Sequence, residues 1–184
     1  MHVVLRVRSM MPGLRRGPVH RALRRVLERY LARPAFRVVH ISIQQTHLHL
    51  LVEATSKAAL TRGMQSFAIN AARAINRLDG GCGKVFPHRY HATQIATARQ
   101  ARHALAYVLN NWRRHREDWS GGRLVAAKLD RYSSALAFPG WTIAFARPAD
   151  DVPLPTSPPQ TALLELAWKR FGAIDPMEVP GPRW

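Results

Sequence analysis

Residues 36–54 read FRVVHISIQQTHLHLLVEA. Two stretches rich in β-branched and apolar residues, 36–44 and 47–54, are separated by only Gln45 and Thr46, which is the signature of two strands paired in a hairpin. Because side chains alternate along a strand, Leu48, Leu50 and Val52 take the core face. His47 and His49 then project together from the other face, and Glu53 shares that face about 13 Å further along, too far to join them. Glu53 is expected to be structural or part of a surface ion pair.

The pattern extends outward on both sides of the hairpin. Upstream, Val19, Ala22, Leu23, Val26, Leu27, Tyr30 and Leu31 recur at helical spacing after Pro18, a residue suited to a first helical turn, and Pro34 ends the run. Before it, residues 2–8 alternate, with Val3, Leu5 and Val7 on one face and His2, Val4, Arg6 and Arg8 on the other. Downstream, Ser56 can cap a second helix with the stripe Leu60, Met64, Phe67, Ala71, Ile75 and Leu78, closed by a glycine turn. A strand is expected over about 85–95, broken near Pro87. Thr97 and Gln100 form a T-x-x-Q capping box that opens a third helix running to about His115. The order β-α-β-β-α-β-α predicts an α+β protein: a ferredoxin-like antiparallel sheet with helices packed on one face and one further helix. Three segments follow from this reading: a body over 1–146, a Pro-rich linker over 147–160 with five prolines, and a short helix at 161–171 within a tail over 161–184.

Composition narrows the function classes. The 184 residues carry 28 Lys or Arg against 11 Asp or Glu, a net charge of +17, and 47% hydrophobic residues supply a real core. The charge sits on a folded body and favours a polyanion, since each neutralised phosphate releases counterions. Four of the cations are lysine and 24 are arginine, a bias that GC-rich coding also produces, although coding bias does not explain the shortage of acids. That shortage disfavours nucleases built on carboxylate-bound metal pairs. An amidohydrolase-type metallohydrolase, which also uses H-x-H, needs more chain and more carboxylates. Cys82 is the single cysteine, and no apolar run approaches the roughly 20 residues of a membrane span, so the expectation is a cytoplasmic protein with no membrane partner.

Two imidazoles two residues apart can share one cation, although H-x-H by itself equally marks an exposed polar sheet face. The third helix adds to the signal. Its apolar stripe is Ala101, Leu105, Val108 and Trp112, while Tyr107 and Asn111 stack one turn apart off that stripe, with His103 a turn earlier. If that flank meets the histidine face, Asn111 can lend an amide oxygen to a metal and Tyr107 can place its hydroxyl beside it. A tyrosine with a pKa near 10 needs such help to attack phosphorus. The alternative is a tyrosine that merely covers a sheet edge. Arg21, Arg24 and Arg25 on the first helix, and Arg113, Arg114 and Arg116 at the end of the third, are candidate phosphate contacts. Trp119 with Arg123 is a candidate base-stacking pair. Cys82, His88 and His91 read as residues without a catalytic role.

The residues His47-Leu48-His49, Tyr107 and Asn111 in AYVLNN, HVVLRVR at 2–8, GMQSFAINAARAINR at 63–77 and VFPHRYHA at 85–92 together resemble the single-tyrosine HUH transposases of small insertion sequences. The similarity is strongest to their REP-associated relatives and spans residues 2–115. The resemblance implies His47, His49 and Asn111 as ligands to Mg²⁺ or Mn²⁺, and Tyr107 as the nucleophile. It also implies single-stranded or hairpin DNA as substrate, a 5′-phosphotyrosine intermediate, and a monomer in preference to a homodimer. The chain departs from the family at Asn111-Trp112, where many relatives have Asn-Pro, and at Gln45-Thr46, where a Pro-Asn pair often precedes the first histidine. The other class that fits is a non-catalytic DNA- or RNA-binding module derived from such a transposase.

Overall fold

The computed structural model describes residues 1–116, 128–145 and 151–181, together with the backbone of Trp119–Ser120 and Arg123–Leu124. Strands β1 (His2–Arg6), β2 (Phe36–Ile43), β3 (His47–Ala54) and β4 (His91–Thr93) form one antiparallel sheet in the order β2-β3-β1-β4. With α1 (Gly17–Glu28), α2 (Lys57–Asp79) and α3 (Ala98–Arg114), this is the ferredoxin-like α+β arrangement that the hairpin and the element order predict.

The sheet separates two cores. Val3, Leu5, Ile41, Ile43, Leu48, Leu50 and Val52 face α1 and α2, meeting Leu23, Val26, Met64, Phe67 and Ile75. Val39 and Leu51 face the opposite way, toward Ala101, Leu105 and Val108 of α3. A bulge between Val38 and His40 turns both Val39 and His40 to that second side, since two residues of β2 oppose one of β3 there. Gly63 lets α2 close on β2, because a Cβ there would lie 2.2 Å from the ring of Phe36.

Helix ends follow the local chemistry. The Ser56 hydroxyl accepts from Ala59 N–H at the start of α2, and Gly80 closes it with φ of 61°. Both halves of the Thr97/Gln100 capping box form. Leu78, expected on the buried stripe of α2, is instead exposed, because it lies in the final turn beyond the edge of the sheet. The strand expected over 85–95 shrinks to β4. Pro87 has no N–H for a ladder, so only His91–Thr93 pair with β1, although Val85 still reaches the core.

The C-terminal residues are packed on the body. Leu154 enters the first core, and Ser157 N–H donates to Val38 O at the edge of β2, so residues 151–160 lie along the body where a spacer was expected. The expected helix over 161–171 divides into α4 (Ala162–Glu165) and a 3-10 turn at Ala167–Phe171. Leu164 and Trp168 from these two pieces both pack in the second core with α3, and the indole N–H of Trp168 donates to Leu164 O. Sandwiched between sheet and tail, α3 is buried on nearly every side from Ala104 to Arg113. No helix among the described residues is long and apolar enough to cross a membrane.

Candidate active site

Register and helical pitch together build the site. On β3, His47 and His49 face α3, and across the ladder Arg6 pairs with His47 and Val4 with His49. The Nε2 atoms of the two histidines meet 2.8 Å apart, with the ring planes at 85°. His47 Nδ1 is 3.1 Å from the hydroxyl of Thr46, and His49 Nδ1 is 3.0 Å from Nε2 of His2.

The helix supplies the opposing wall. The ring of Tyr107 meets the ring of His49 edge-on at 5.2 Å between centroids, and the ring of His115, at the C-cap of α3, meets His47 at 5.8 Å. Asn111 lies four residues from each of these on the same helical row, between them along the helix. It is fully buried, and neither its Oδ1 nor its Nδ2 has a hydrogen-bond partner. A buried amide left unsatisfied in this way costs about 1–3 kcal/mol, a cost that a ligand at this place would offset.

The donor set suits a divalent cation. Two nitrogens bound to one ion at right angles and about 2.1 Å each would stand about 3 Å apart, close to the spacing of the histidine pair. Among the described residues no group of three His, Cys, Asp or Glu can hold a metal; the buried amide of Asn111 is a further neutral donor on the helix that faces the histidine pair.

The rim of the site is basic. Burial lowers the pKa of His115 below its ordinary value, and Arg114, Arg15 and Arg6 lower it further. Arg6 was not singled out from the sequence, although it shares the strand face of His2 and Val4. Beside it a cleft of about 220 Å³ is lined by Val4, Arg6, His88, Arg89 and His91.

The arginines expected as phosphate contacts divide into three groups. Arg114 and Arg116 are exposed at the end of α3 near the site. Arg113 is turned inward: buried, it donates from Nε to Pro176 O at 2.6 Å and from Nη2 to Lys128 O at 2.9 Å, and its guanidinium lies over the ring of Trp112. Its expected role as a DNA contact is therefore corrected, because the tail covers that side of α3. Arg21, Arg24 and Arg25 belong to α1, across the sheet from the histidine pair, and cannot join it. Arg25 instead lines a groove with Arg29, Arg73 and Arg77 between α1 and α2. The side chains of Trp119 and Arg123 lie outside the described residues. Glu53, expected to be structural or part of a surface ion pair, is buried and structural: it pairs with Arg37 and fastens the tail.

An antiparallel α+β sheet carrying a histidine pair beneath a tyrosine helix, on so basic a chain, is the form of a DNA-processing protein. A family model described as "Transposase IS200 like" matches residues 1–111, more than half of the chain, and the protein belongs to that family. It is thus a transposase, a DNA-cleaving enzyme that acts on DNA. No curated protein matches the chain.

Proposed function

We propose that this transposase cleaves and rejoins single-stranded DNA flanked by a hairpin, with Tyr107 as the nucleophile and His47, His49 and Asn111 as ligands to a divalent cation. The observation that carries this reading is the buried, unpartnered amide of Asn111, one helical turn from a tyrosine whose ring meets His49. Mixed imidazole and amide donors suit Mn²⁺ at least as well as Mg²⁺, which prefers oxygen ligands and keeps its waters. When bound, the cation would withdraw charge from a phosphodiester oxygen and make phosphorus more electrophilic.

Tyr107 Oη attacks phosphorus, the P–O3′ bond breaks, and the tyrosine proton is balanced by the one taken up at the departing 3′ oxygen. The products are a 5′-phosphotyrosine and a free 3′-OH. Attack of a 3′-OH on the phosphotyrosine reverses the step and reseals the strand. Each transesterification makes one phosphoester bond for each one broken, so no external energy source is needed. Arg6, Arg114 and Arg116 hold the backbone at the rim, and the cleft lined by His88 and Arg89 takes the strand leading to the tyrosine. The ring of Tyr107 meets His49 of its own chain, which is compatible with action as a monomer.

The test is to incubate the protein with single-stranded hairpin DNA and Mn²⁺ and look for a protein–DNA adduct that survives denaturant. Wild type should form it, and Tyr107→Phe and chelator-treated protein should not. An equal adduct from Tyr107→Phe overturns the nucleophile, and a chelator-insensitive adduct overturns the cation. Binding without any adduct would instead leave a DNA-holding module.

A further inference from the structure

The proposed chemistry leaves one buried histidine unused. His2 stands on β1 with only 2% of its surface exposed, diagonal to His49 across the ladder, and its Nε2 lies 3.0 Å from His49 Nδ1. Its ring also meets Tyr107 edge-on at 5.7 Å. It thus contacts a candidate ligand on the nitrogen facing away from His47.

That placement matters because a neutral imidazole carries one N–H, and only the nitrogen without it can bind a cation. His49 offers Nε2 to the point it shares with His47 only when its proton sits on Nδ1. An Nδ1–H buried at that depth requires an acceptor, and His2 Nε2 is in place to be one. His47 has a different neighbour, the Thr46 hydroxyl at 3.1 Å. A hydroxyl can donate or accept, so that contact does not by itself set the tautomer of His47, while an imidazole partner held by a strand restricts the ring of His49 in angle as well.

We propose that His2 is a positioning residue of the cation site: by accepting the Nδ1–H of His49, it holds the tautomer and ring angle that present His49 Nε2 beside His47 Nε2. The inference rests on the cation site proposed above. Partners of this kind outside the ligand set typically change metal affinity by about 10–100-fold when removed.

Binding can be read without DNA or turnover by titrating the whole protein with Mn²⁺ and following the free ion by electron paramagnetic resonance. His2→Leu, which keeps bulk but cannot accept, should bind about 10–100-fold more weakly. His2→Gln, whose Oε1 reaches toward the position of Nε2, should restore binding close to wild type. His2→Asn, whose oxygen stops short, should behave as His2→Leu does, and it replaces that variant if leucine prevents folding. Nitrogen-15 spectra with diamagnetic Mg²⁺ should show His49 as the Nδ1–H tautomer in wild type and His2→Gln, and as a mixture in His2→Leu. The inference is overturned if wild type binds Mn²⁺ and His2→Leu or His2→Asn binds it equally. It is overturned likewise if the His49 tautomer is unchanged in those variants, or if glutamine fails to restore what leucine loses, which would assign His2 to packing. Absence of Mn²⁺ binding by wild type would overturn the cation site itself, and this inference with it.

Discussion

Asn111 is the residue at which stability and function pull apart. Its two buried amide atoms have no hydrogen-bond partners, and replacing such a group by an apolar one of similar shape is neutral to stabilising. Asn111→Leu should therefore gain up to about 1–3 kcal/mol in urea unfolding with chelator present. The same change should reduce adduct formation on hairpin DNA by at least about 100-fold, equivalent to about 2.7 kcal/mol of barrier. Adjacent arginines should separate in the opposite sense. Arg113→Ala strands the carbonyls of Pro176 and Lys128 and should cost about 2–4 kcal/mol. Arg114→Ala removes an exposed guanidinium with a single bond, to Pro180 O at 3.1 Å, and should cost less, about 0.5–1 kcal/mol. It should instead lower the slope of log K against log salt for single-stranded DNA by about 0.7.

At the scale of elements, the position of α3 depends on what lies behind it. The Glu53 carboxylate at the end of β3 accepts from Gln160 N–H at 2.8 Å, Thr161 N–H at 2.9 Å and the Thr161 hydroxyl at 2.6 Å, so it ties the entry of α4 to the sheet. Burial by itself would raise its pKa. The bonds from Thr161 and Gln160 and the nearby Arg37 outweigh that and hold it below the ordinary carboxylate value. A carboxylate so depressed contributes stability that is complete above its unfolded pKa of about 4.3 and is lost as pH falls through the folded value. Glu53→Gln should accordingly cost about 2 kcal/mol at neutral pH and speed hydrogen exchange at Thr161, because it weakens three bonds to a charged acceptor. His40, bonded through Nδ1 to the Ser134 hydroxyl, is pushed down to about 4 by desolvation, which the nearby Glu53 charge opposes only partly. The unfolded chain protonates first, so His40 adds stability that is whole above about pH 6.5 and falls away toward pH 4, by up to about 3 kcal/mol. Unfolding curves across that span should slope downward with acid for wild type and flatten for His40→Phe.

For the molecule as a whole, part of the positive charge gathers on two surfaces that the sheet separates. One is the rim formed by Arg6, Arg114 and Arg116 around the histidine pair. The other is the arginine groove between α1 and α2, on the far side. Substituting Arg25, Arg29, Arg73 and Arg77 together should lower the salt dependence of DNA binding while leaving Mn²⁺ affinity unchanged. Nonspecific phosphate contact is additive and long-ranged, whereas a metal site is not. Calorimetry without DNA and binding isotherms at several salt concentrations would check the two halves.

Local periodicity carried the hairpin, the limits of α2 and α3, the two caps and the facing of His47 and His49, because strand alternation and helical pitch act over a few residues; it overran α1, which ends at Glu28 and leaves Leu31 exposed. It also put Tyr107 and Asn111 on one helical row, and His2 and Arg6 on one face of the first strand. What periodicity could not supply was which surface of one element meets which surface of another. That α3 crosses the histidine face is a contact between residues some sixty positions apart, with no local signature. Tertiary packing also decided that Arg113 turns inward, that α1 and its arginines lie behind the sheet, that Pro-rich residues 151–160 bind an edge, and that His2 touches His49. The sequence by itself determined which side chains share a face. Only the fold decided which faces touch, since that choice is fixed by the burial of two cores at once and not by any single segment.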